Sequence, residues 1–477
     1  MKQNSITRRN FLKNTTMAGT GFFIVPRHVL GRGFTAPSDK LNIAGIGAGG
    51  KAEVNLPYAW NKGAENIVTL CDVDDRSSAK ARARWPSATY YRDYREMLDK
   101  ENKNIDAVIV TTPDHMHTPI ALSAMQLGKH VYVEKPLTHD IAEARLLTEA
   151  AKRYKVVTQM GNQGSSGDDI RKVETWIQGG VIGDVHTVHV WTNRPVWPQG
   201  IPTPKGKFDV PKEVDWELWL GTAPFRDYHP GYLPATWRGW VDFGTGSLGD
   251  MGCHFIDVPY RALKLGYPIS VECSVGSVYS GYFHEEVYTD SYPPSSKTHI
   301  MFPARGSMGP CEMIWYDGGI KPKRPDELLP DEKMANGDGG IIFEGTKGKM
   351  LASIFGKEAT LLPTSKMKTA NLPASKFPFV KDGSEGHQQQ WVAACKKGFG
   401  AYTSSPFAIA GPLTETVLMG NLAVRSYNYS EMNAKGQKTY PGRKKLLWDG
   451  EAMKVTNFEP ANNFVKREYR GNYKATL

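Results

Sequence analysis

A strand that runs directly into a glycine-spaced turn and then a helix leaves a chain few folds to choose from. Residues 41–47 (LNIAGIG) form a buried-strand run into Gly45-x-Gly47-x-x-Gly50, and a helical stretch follows to about residue 61, its regularity limited by Pro57. In a chain with 48 glycines such a cluster arises by chance, so the next strand matters. Residues 66–72 (NIVTLCD) end in Asp72, 22 residues beyond Gly50, the spacing at which a carboxylate reaches the ribose hydroxyls of a dinucleotide. On this reading Gly45 permits the tight turn, Gly47 lets the backbone approach a pyrophosphate, and Gly50 allows close helix–strand packing. The helix N-terminus then attracts the phosphates. Asp72 repels a 2′-phosphate, so NAD is expected over NADP. Arg76, four residues on, softens that preference.

The alternation continues to residue 160. Helical patterns at 76–85, 94–100, 118–127 and 141–154 separate strand patterns near Tyr90 and at 106–112, 130–134 and 156–160. This predicts an α/β chain whose N-terminal part is a doubly wound parallel Rossmann sheet, with ligand at the strands' carboxyl ends. Three polar loops fall there: Thr112-Pro113-Asp114-His115-Met116-His117, Glu134-Lys135-Pro136 and Gly161-Asn162-Gln163.

At 477 residues the chain exceeds what one core normally supports, so a second domain is expected. A helix at 169–180 leads to a strand at 186–192. Apolar, β-branched stretches follow at 269–280, 298–302, 312–316, 340–344 and 359–362, with no regular helices between them. They predict a C-terminal α+β domain built on a large, open, mostly antiparallel sheet, with helices at 386–396 and 413–427 packing back on it. Segments 201–213 and 318–338, rich in Pro, Lys and Gly, read as surface loops or a lid.

The net charge of +10 suggests nucleic acid until its location is considered. Residues 1–33 contain six basic residues and no acid, which leaves +4 over the rest, and no later block of like charge is long enough to track a phosphate backbone. No nucleic-acid partner is expected. Thr7-Arg8-Arg9-Asn10-Phe11-Leu12-Lys13, followed by a short Gly- and Thr-rich apolar stretch, resembles a twin-arginine export signal. Residues 1–36 are therefore expected to be that signal, 37–160 the dinucleotide domain, and 161–477 a substrate and oligomerisation domain. The mature protein is expected in the periplasm, without a membrane span. Five cysteines without a CxxC pair are expected to be free buried thiols, and the scattered histidines argue against a metal.

Glu134-Lys135-Pro136 after a strand, the TPDHMH loop, GxGxxG, and GTGSLGDMGCH at 244–254 together resemble the glucose–fructose oxidoreductase/inositol dehydrogenase/rhizopine catabolism (Gfo/Idh/MocA) family. The resemblance spans roughly residues 40–260. It implies that Lys135, Asp250 and His254 form a catalytic group, and that the sheet supports a homo-oligomer. Chemically, an imidazole takes the hydroxyl proton of a secondary alcohol while hydride leaves the carbon. A lysine cation stabilises the developing alkoxide. Asp250 and His254 lie one helical turn apart and share a face. The bland alternatives are a strand-end lysine, a helix N-cap and a core histidine. Cofactor contacts are expected from Gly45, Gly47, Gly50, Asp72, Arg76, Thr112, Pro113, His117, Glu134, Lys135 and Asn162. Of His115 and His117, one is expected to shape the nicotinamide pocket and the other to be exposed.

Residues 191–240 hold six tryptophans, whose indole faces suit the C–H faces of sugar rings. Trp191, Trp197 and Trp237, with Gln163, Asn193 and Arg194, are the expected sugar or glycoside contacts, whereas Trp216 and Trp219 are expected in the core. The function expected is hydride transfer to or from a secondary hydroxyl of a sugar or glycoside by an exported enzyme with tightly held NAD. Two alternatives stand beside it: a glycosidase using transient oxidation by bound NAD, a subgroup that generally lacks the lysine motif, and a non-catalytic dinucleotide-dependent sugar-binding protein.

Overall fold

The computed structural model describes residues 39–477, so the expected export signal at 1–36 lies outside the described residues. The chain opens with β1 (Asn42–Ile46), α1 (Ala52–Trp60), β2 (Asn66–Cys71), α2 (Asp75–Arg84), β3 (Thr89–Tyr91), α3 (Tyr94–Glu101), β4 (Ala107–Val110), α4 (His117–Gln126), β5 (His130–Val133), α5 (Ile141–Tyr154) and β6 (Thr158–Met160). The six strands form a parallel sheet in the order β3-β2-β1-β4-β5-β6, the doubly wound Rossmann order. Its central strands are buried on both faces, all four residues of β4 among them, which is why they read as unbroken apolar runs. Aspartates start three of these helices: Asp74 and Asp93 cap α2 and α3, and Asp140 forms a reciprocal capping box with Glu143 on α5.

The second half adds α6 (Asp168–Gln178), β7 (Val185–Thr192), α7 (Trp216–Leu220), α8 (Gly246–Phe255), α9 (Asp257–Ala262), β8 (Ser270–Val275), β9 (Val278–Gly281), β10 (His284–Glu286), β11 (Ser296–Phe302), β12 (Cys311–Tyr316), β13 (Gly339–Gly345), β14 (Gly348–Ala352) and β15 (Thr360–Leu362). Then come α10 (His387–Lys397), α11 (Phe407–Asn428), the ribbon β16 (Glu431–Met432) and β17 (Lys438–Thr439), and β18 (Leu446–Asp449) and β19 (Lys454–Val455). A nine-stranded sheet runs β15-β14-β13-β7-β12-β11-β8-β18-β19. Every pairing in it is antiparallel except β7 with β12, so the expected open sheet is mixed.

Two helices from late in the chain return to the first sheet. α10 places Trp391, Val392 and Cys395 in the core beneath β1 and β2, with Trp391 edge-on to Tyr132. α11 packs on α5, α8 and β8. It is long and apolar enough to cross a membrane, but most of it is buried inside the protein. All five cysteines are free thiols, four of them buried.

Candidate active site

A cleft of about 560 Å³ lies at the carboxyl ends of the parallel strands. One wall is the glycine turn, the end of β2, and the loops after β4 and β5. The other is built from α7, residues 233–238 and α8.

The glycine turn supplies the cleft floor, and its glycines divide their work differently from the expectation. Gly45 lies within β1, where a Cβ would meet Leu56 of α1 at 2.9 Å; it is the helix-packing glycine. Gly47 (φ +78°) makes the turn, and a Cβ there would sit 2.8 Å from the backbone of Thr111 and Thr112. Gly50 (φ +55°) has open space around it and is needed for its left-handed backbone alone. Gly49 matters too, because a Cβ there would strike Ser77.

Asp72 closes this end. Its Oδ2 accepts from the amides of Ala48 (2.8 Å) and Gly49 (3.2 Å), and its Oδ1 accepts from Asp74 N (3.0 Å). Burial pushes its carboxyl up to about 6, against the pull of those three amides. Asp74 also lines the cleft. Arg76 does not; Asp74 takes its guanidinium in a bidentate pair with contacts of 2.9 and 2.7 Å, so the expected cofactor role is not met by its position. A glycine floor that side chains would fill, with a carboxylate at the ribose position, fits a dinucleotide.

Thr112, Pro113, His117 and Glu134 all line the cleft. His117 is held by main-chain oxygens of Pro136 (2.8 Å) and Thr112 (2.9 Å). Neither loop histidine is exposed. His115 is buried between the oxygens of Trp219 and Phe243, and its value falls to about 3 through burial and the nearby Arg467. Glu134 accepts from Asn55 Nδ2 at 2.7 Å. Asn162 is not in the cleft wall: it donates to Asp257 Oδ2 (3.0 Å) from behind, and its own Oδ1 is buried without a partner among the described residues.

At the opposite end from Asp72, Lys135 reaches across to α8. Its Nζ lies 2.8 Å from Asp250 Oδ1 and 2.5 Å from the Asp250 main-chain oxygen. Burial raises the Asp250 carboxyl, but the charge and hydrogen bond of Lys135, then Arg238, outweigh it and hold Asp250 below its usual value. His254 follows one turn later and faces the cleft. Burial, with the Lys135 charge second, keeps its imidazole well below the usual value, hence neutral. Its Nδ1 is buried and has no partner among the described residues, and Phe355 stands edge-on to the ring at 5.0 Å. Two glycines shape α8: a Cβ at Gly252 would strike Val417 of α11, and one at Gly249 would strike Thr245 at the helix's own N-cap.

Of the expected sugar contacts, Gln163 and Trp237 line the cleft. Arg194 stands beside it, Nε 3.9 Å from Asp250 Oδ2. Trp191 belongs to the core, buried on the sheet with Ile314, Tyr316 and Ile342. Strand alternation explains this: a one-residue change in facing sends the indole into packing rather than the cleft. Trp197 is outside the cleft wall, its indole N–H donating to Gln199 Oε1 (2.9 Å). Asn193 is exposed and accepts from Arg194. Trp216 and Trp219 are buried as expected, though Trp219 also lines the cleft.

The sequence reading missed Arg238. It lines the cleft, stacks on Trp237 (4.3 Å) and lies 3.6 Å from Asp250. Its only signal was a neighbouring tryptophan. It missed Tyr473 as well, more than 420 residues from the glycine turn, for which no local signal exists. Among the described residues no cluster of three or more His, Cys, Asp or Glu side chains is gathered for a metal.

Residues 41–162 match an oxidoreductase family's NAD-binding Rossmann fold, and residues 169–276 match its C-terminal alpha/beta domain. The uncharacterized oxidoreductase YdgJ of Escherichia coli is 27% identical over 149 residues, 31% of this chain and 42% of YdgJ. A glycosyl hydrolase family 109 protein of Shewanella sp. is 27% identical over 207 residues, 38% of this chain and 45% of the relative. Levoglucosan dehydrogenase of Pseudarthrobacter phenanthrenivorans is 24% identical over 311 residues, 63% of this chain and 66% of that enzyme. The chain thus spans less than half the length of the first two relatives. The crystal structure of an oxidoreductase domain protein from Kribbella flavida superposes with a TM-score of 0.54 at 18% identity, over 81% of this chain and 97% of the other, a likeness of fold.

Proposed function

The chain belongs to the Gfo/Idh/MocA oxidoreductase family, and from that premise we propose that it is an NAD-dependent dehydrogenase acting on a secondary hydroxyl of a sugar or glycoside. One observation carries the reading. Lys135 and Asp250 are joined at 2.8 Å beside the neutral imidazole of His254, at the end of the cleft opposite Asp72.

Bound NAD supplies a hydride acceptor at the nicotinamide ring. His254 accepts the hydroxyl proton, since its imidazole is unprotonated at neutral pH. Lys135 places its cation at the oxygen that gains negative charge. Asp250 stays ionised, orients the lysine, and accepts from a neighbouring sugar hydroxyl. Arg194 and Arg238 donate to further hydroxyls, and Trp237 offers an apolar face. Asp72 and Asp74 disfavour a 2′-phosphate, which supports NAD over NADP. The enzyme is read as exported folded with its cofactor, by the twin-arginine-like residues 7–13, and as working in the periplasm as a homo-oligomer. The glycosyl hydrolase family 109 likeness favours a second reading, transient oxidation that ends in glycosidic cleavage.

The test is to purify the protein, identify its dinucleotide by mass, and titrate sugars while following reduced-nicotinamide absorbance. Growth or bleaching of that band supports the dehydrogenase. Cleavage without net change supports the glycosidase. Silence with every sugar refutes both.

A further inference from the structure

Residues 465–477 take no part in the chemistry above, yet they bind three parts of the cleft together. Val465 O accepts from Ala142 N of α5 at 3.1 Å. Arg467 follows, buried. Its main-chain N–H donates to Asp140 Oδ2 (3.1 Å) and its guanidinium to Glu143 Oε1 (2.8 Å), His115 O (2.6 Å) and Thr222 Oγ1 (2.9 Å). Tyr469 donates its hydroxyl to Glu143 Oε1 at 2.5 Å. Arg470 grips α7, donating to Glu217 Oε2 (2.7 Å) and Ala223 O (3.0 Å). Tyr473 then enters the cleft wall, with the guanidinium of Arg95 4.9 Å from its ring centroid, and Gln126 of α4 donates to Thr476 O (3.0 Å).

The cleft has a direction. Asp72, at the end of β2, marks the ribose of the adenosine half, and Lys135 with His254 marks the reacting half. Tyr473 shares the cleft with Arg92 and Tyr94, which follow β3, the strand beside β2; at its end Tyr91 O accepts from Asp72 N at 3.1 Å. α7, which Arg470 holds, contributes Leu218 and Trp219 to the facing wall. One segment therefore pins that wall to the parallel-sheet helices and adds an aromatic ring of its own.

We infer that residues 467–476 form a clasp over the adenosine half of the cleft, Tyr473 contacting the adenine and Arg467 with Arg470 holding α7 down, so that the dinucleotide stays bound between turnovers. This rests on the NAD reading above. Release then requires the clasp to lift, and an aromatic ring in van der Waals contact with the base slows it.

The whole protein and its Tyr473→Ala and Arg470→Gln variants are each loaded with NADH and desalted, and the dinucleotide retained is measured after denaturation. Release is also timed by loss of NADH fluorescence on adding excess NAD. The expected result is retention by the parent protein and release at least about tenfold faster from either variant. The circular dichroism should stay unchanged, and Tyr473→Phe, which keeps the ring, should retain NADH as the parent does, which separates a clasp from a general structural role. Release from Tyr473→Ala within twofold of the parent, or a parent that loses NADH as fast as the variants, overturns the clasp. Failure of NADH to bind any of the three overturns the NAD reading itself, and the clasp with it.

Discussion

Replacing Lys135 by Met removes one charge while keeping a similar length of side chain. At 2.8 Å from Asp250, and with an effective dielectric of about 20, the lost Coulomb attraction is about 6 kcal/mol. Folding does not lose all of this, because Arg238 (3.6 Å) and Arg194 (3.9 Å) remain on the same carboxylate. The loss that matters is in the transition state, where one preorganised cation disappears from the oxygen that gains charge. Such a donor is worth about 3–4 kcal/mol, or 10²–10³ in kcat. Lys135→Met is therefore expected to lower kcat by two to three orders of magnitude, with NADH affinity within about twofold of the parent. It should also let the His254 imidazole rise toward its ordinary value, since the lysine charge is the main influence after burial that holds it down. Stopped-flow absorbance of reduced nicotinamide gives kcat, and fluorescence titration gives affinity. A variant within threefold of the parent kcat would refute the assignment of Lys135 to the reacting oxygen.

Four other outcomes follow from the same geometry. Because His254 lies below its ordinary value of about 6.5, kcat/KM should stay level as pH falls through 6.5 and drop only below it; an inflection at 6.5 sinks the base assignment. The same depression means that this group's contribution to stability, full above about pH 6.5, is lost as pH falls from there toward the folded value, a trend thermal unfolding against pH will show. Gly47→Ala should destabilise by about 3 kcal/mol, from left-handed strain plus a backbone clash at 2.8 Å, whereas Gly50→Ala, in open space, should cost only about 1 kcal/mol. Equal thermal shifts for the two would contradict that division. Trp191→Phe should lower the melting temperature and leave the sugar KM alone, while Trp237→Ala should raise KM about tenfold; the reverse pattern would restore the first reading of the tryptophans.

What the chain disclosed in advance followed from locality. The parallel sheet was legible because its central strands are buried on both faces and alternate with helices, so each signal lies within a short window; the short edge strand β3, half-exposed, gave the weakest one. Lys135, Asp250 and His254 were legible because each sits in a motif of a few residues. The errors came where a residue's role depends on facing or on distant chain. Trp191 and Trp237 look alike in sequence and both are buried, but the register of β7 turns Trp191 onto the sheet's packing face, whereas Trp237 also lines the cleft. The glycine roles were permuted because which glycine meets Leu56 depends on how α1 lies on β1. Asn162 was placed at the cofactor, but a partner 95 residues away, Asp257, claims it. α10 completes the core of a sheet whose last strand ends 227 residues earlier, a closure no short window can reveal.

The helix from Phe407 to Asn428 joins parts that many two-lobed enzymes keep separate. It lies on α5 from one lobe and on α8, the carrier of Asp250 and His254, and it fixes the α8 start through Asn421 Nδ2 to Thr245 O at 2.9 Å. Val417 and Leu248 fill the notches left by Gly252 and Gly420. Such a keel resists bending: rotating the lobes apart would expose buried apolar surface along its length. The placement of α8, and with it of Asp250 and His254 beside Lys135, is thereby set when the protein folds.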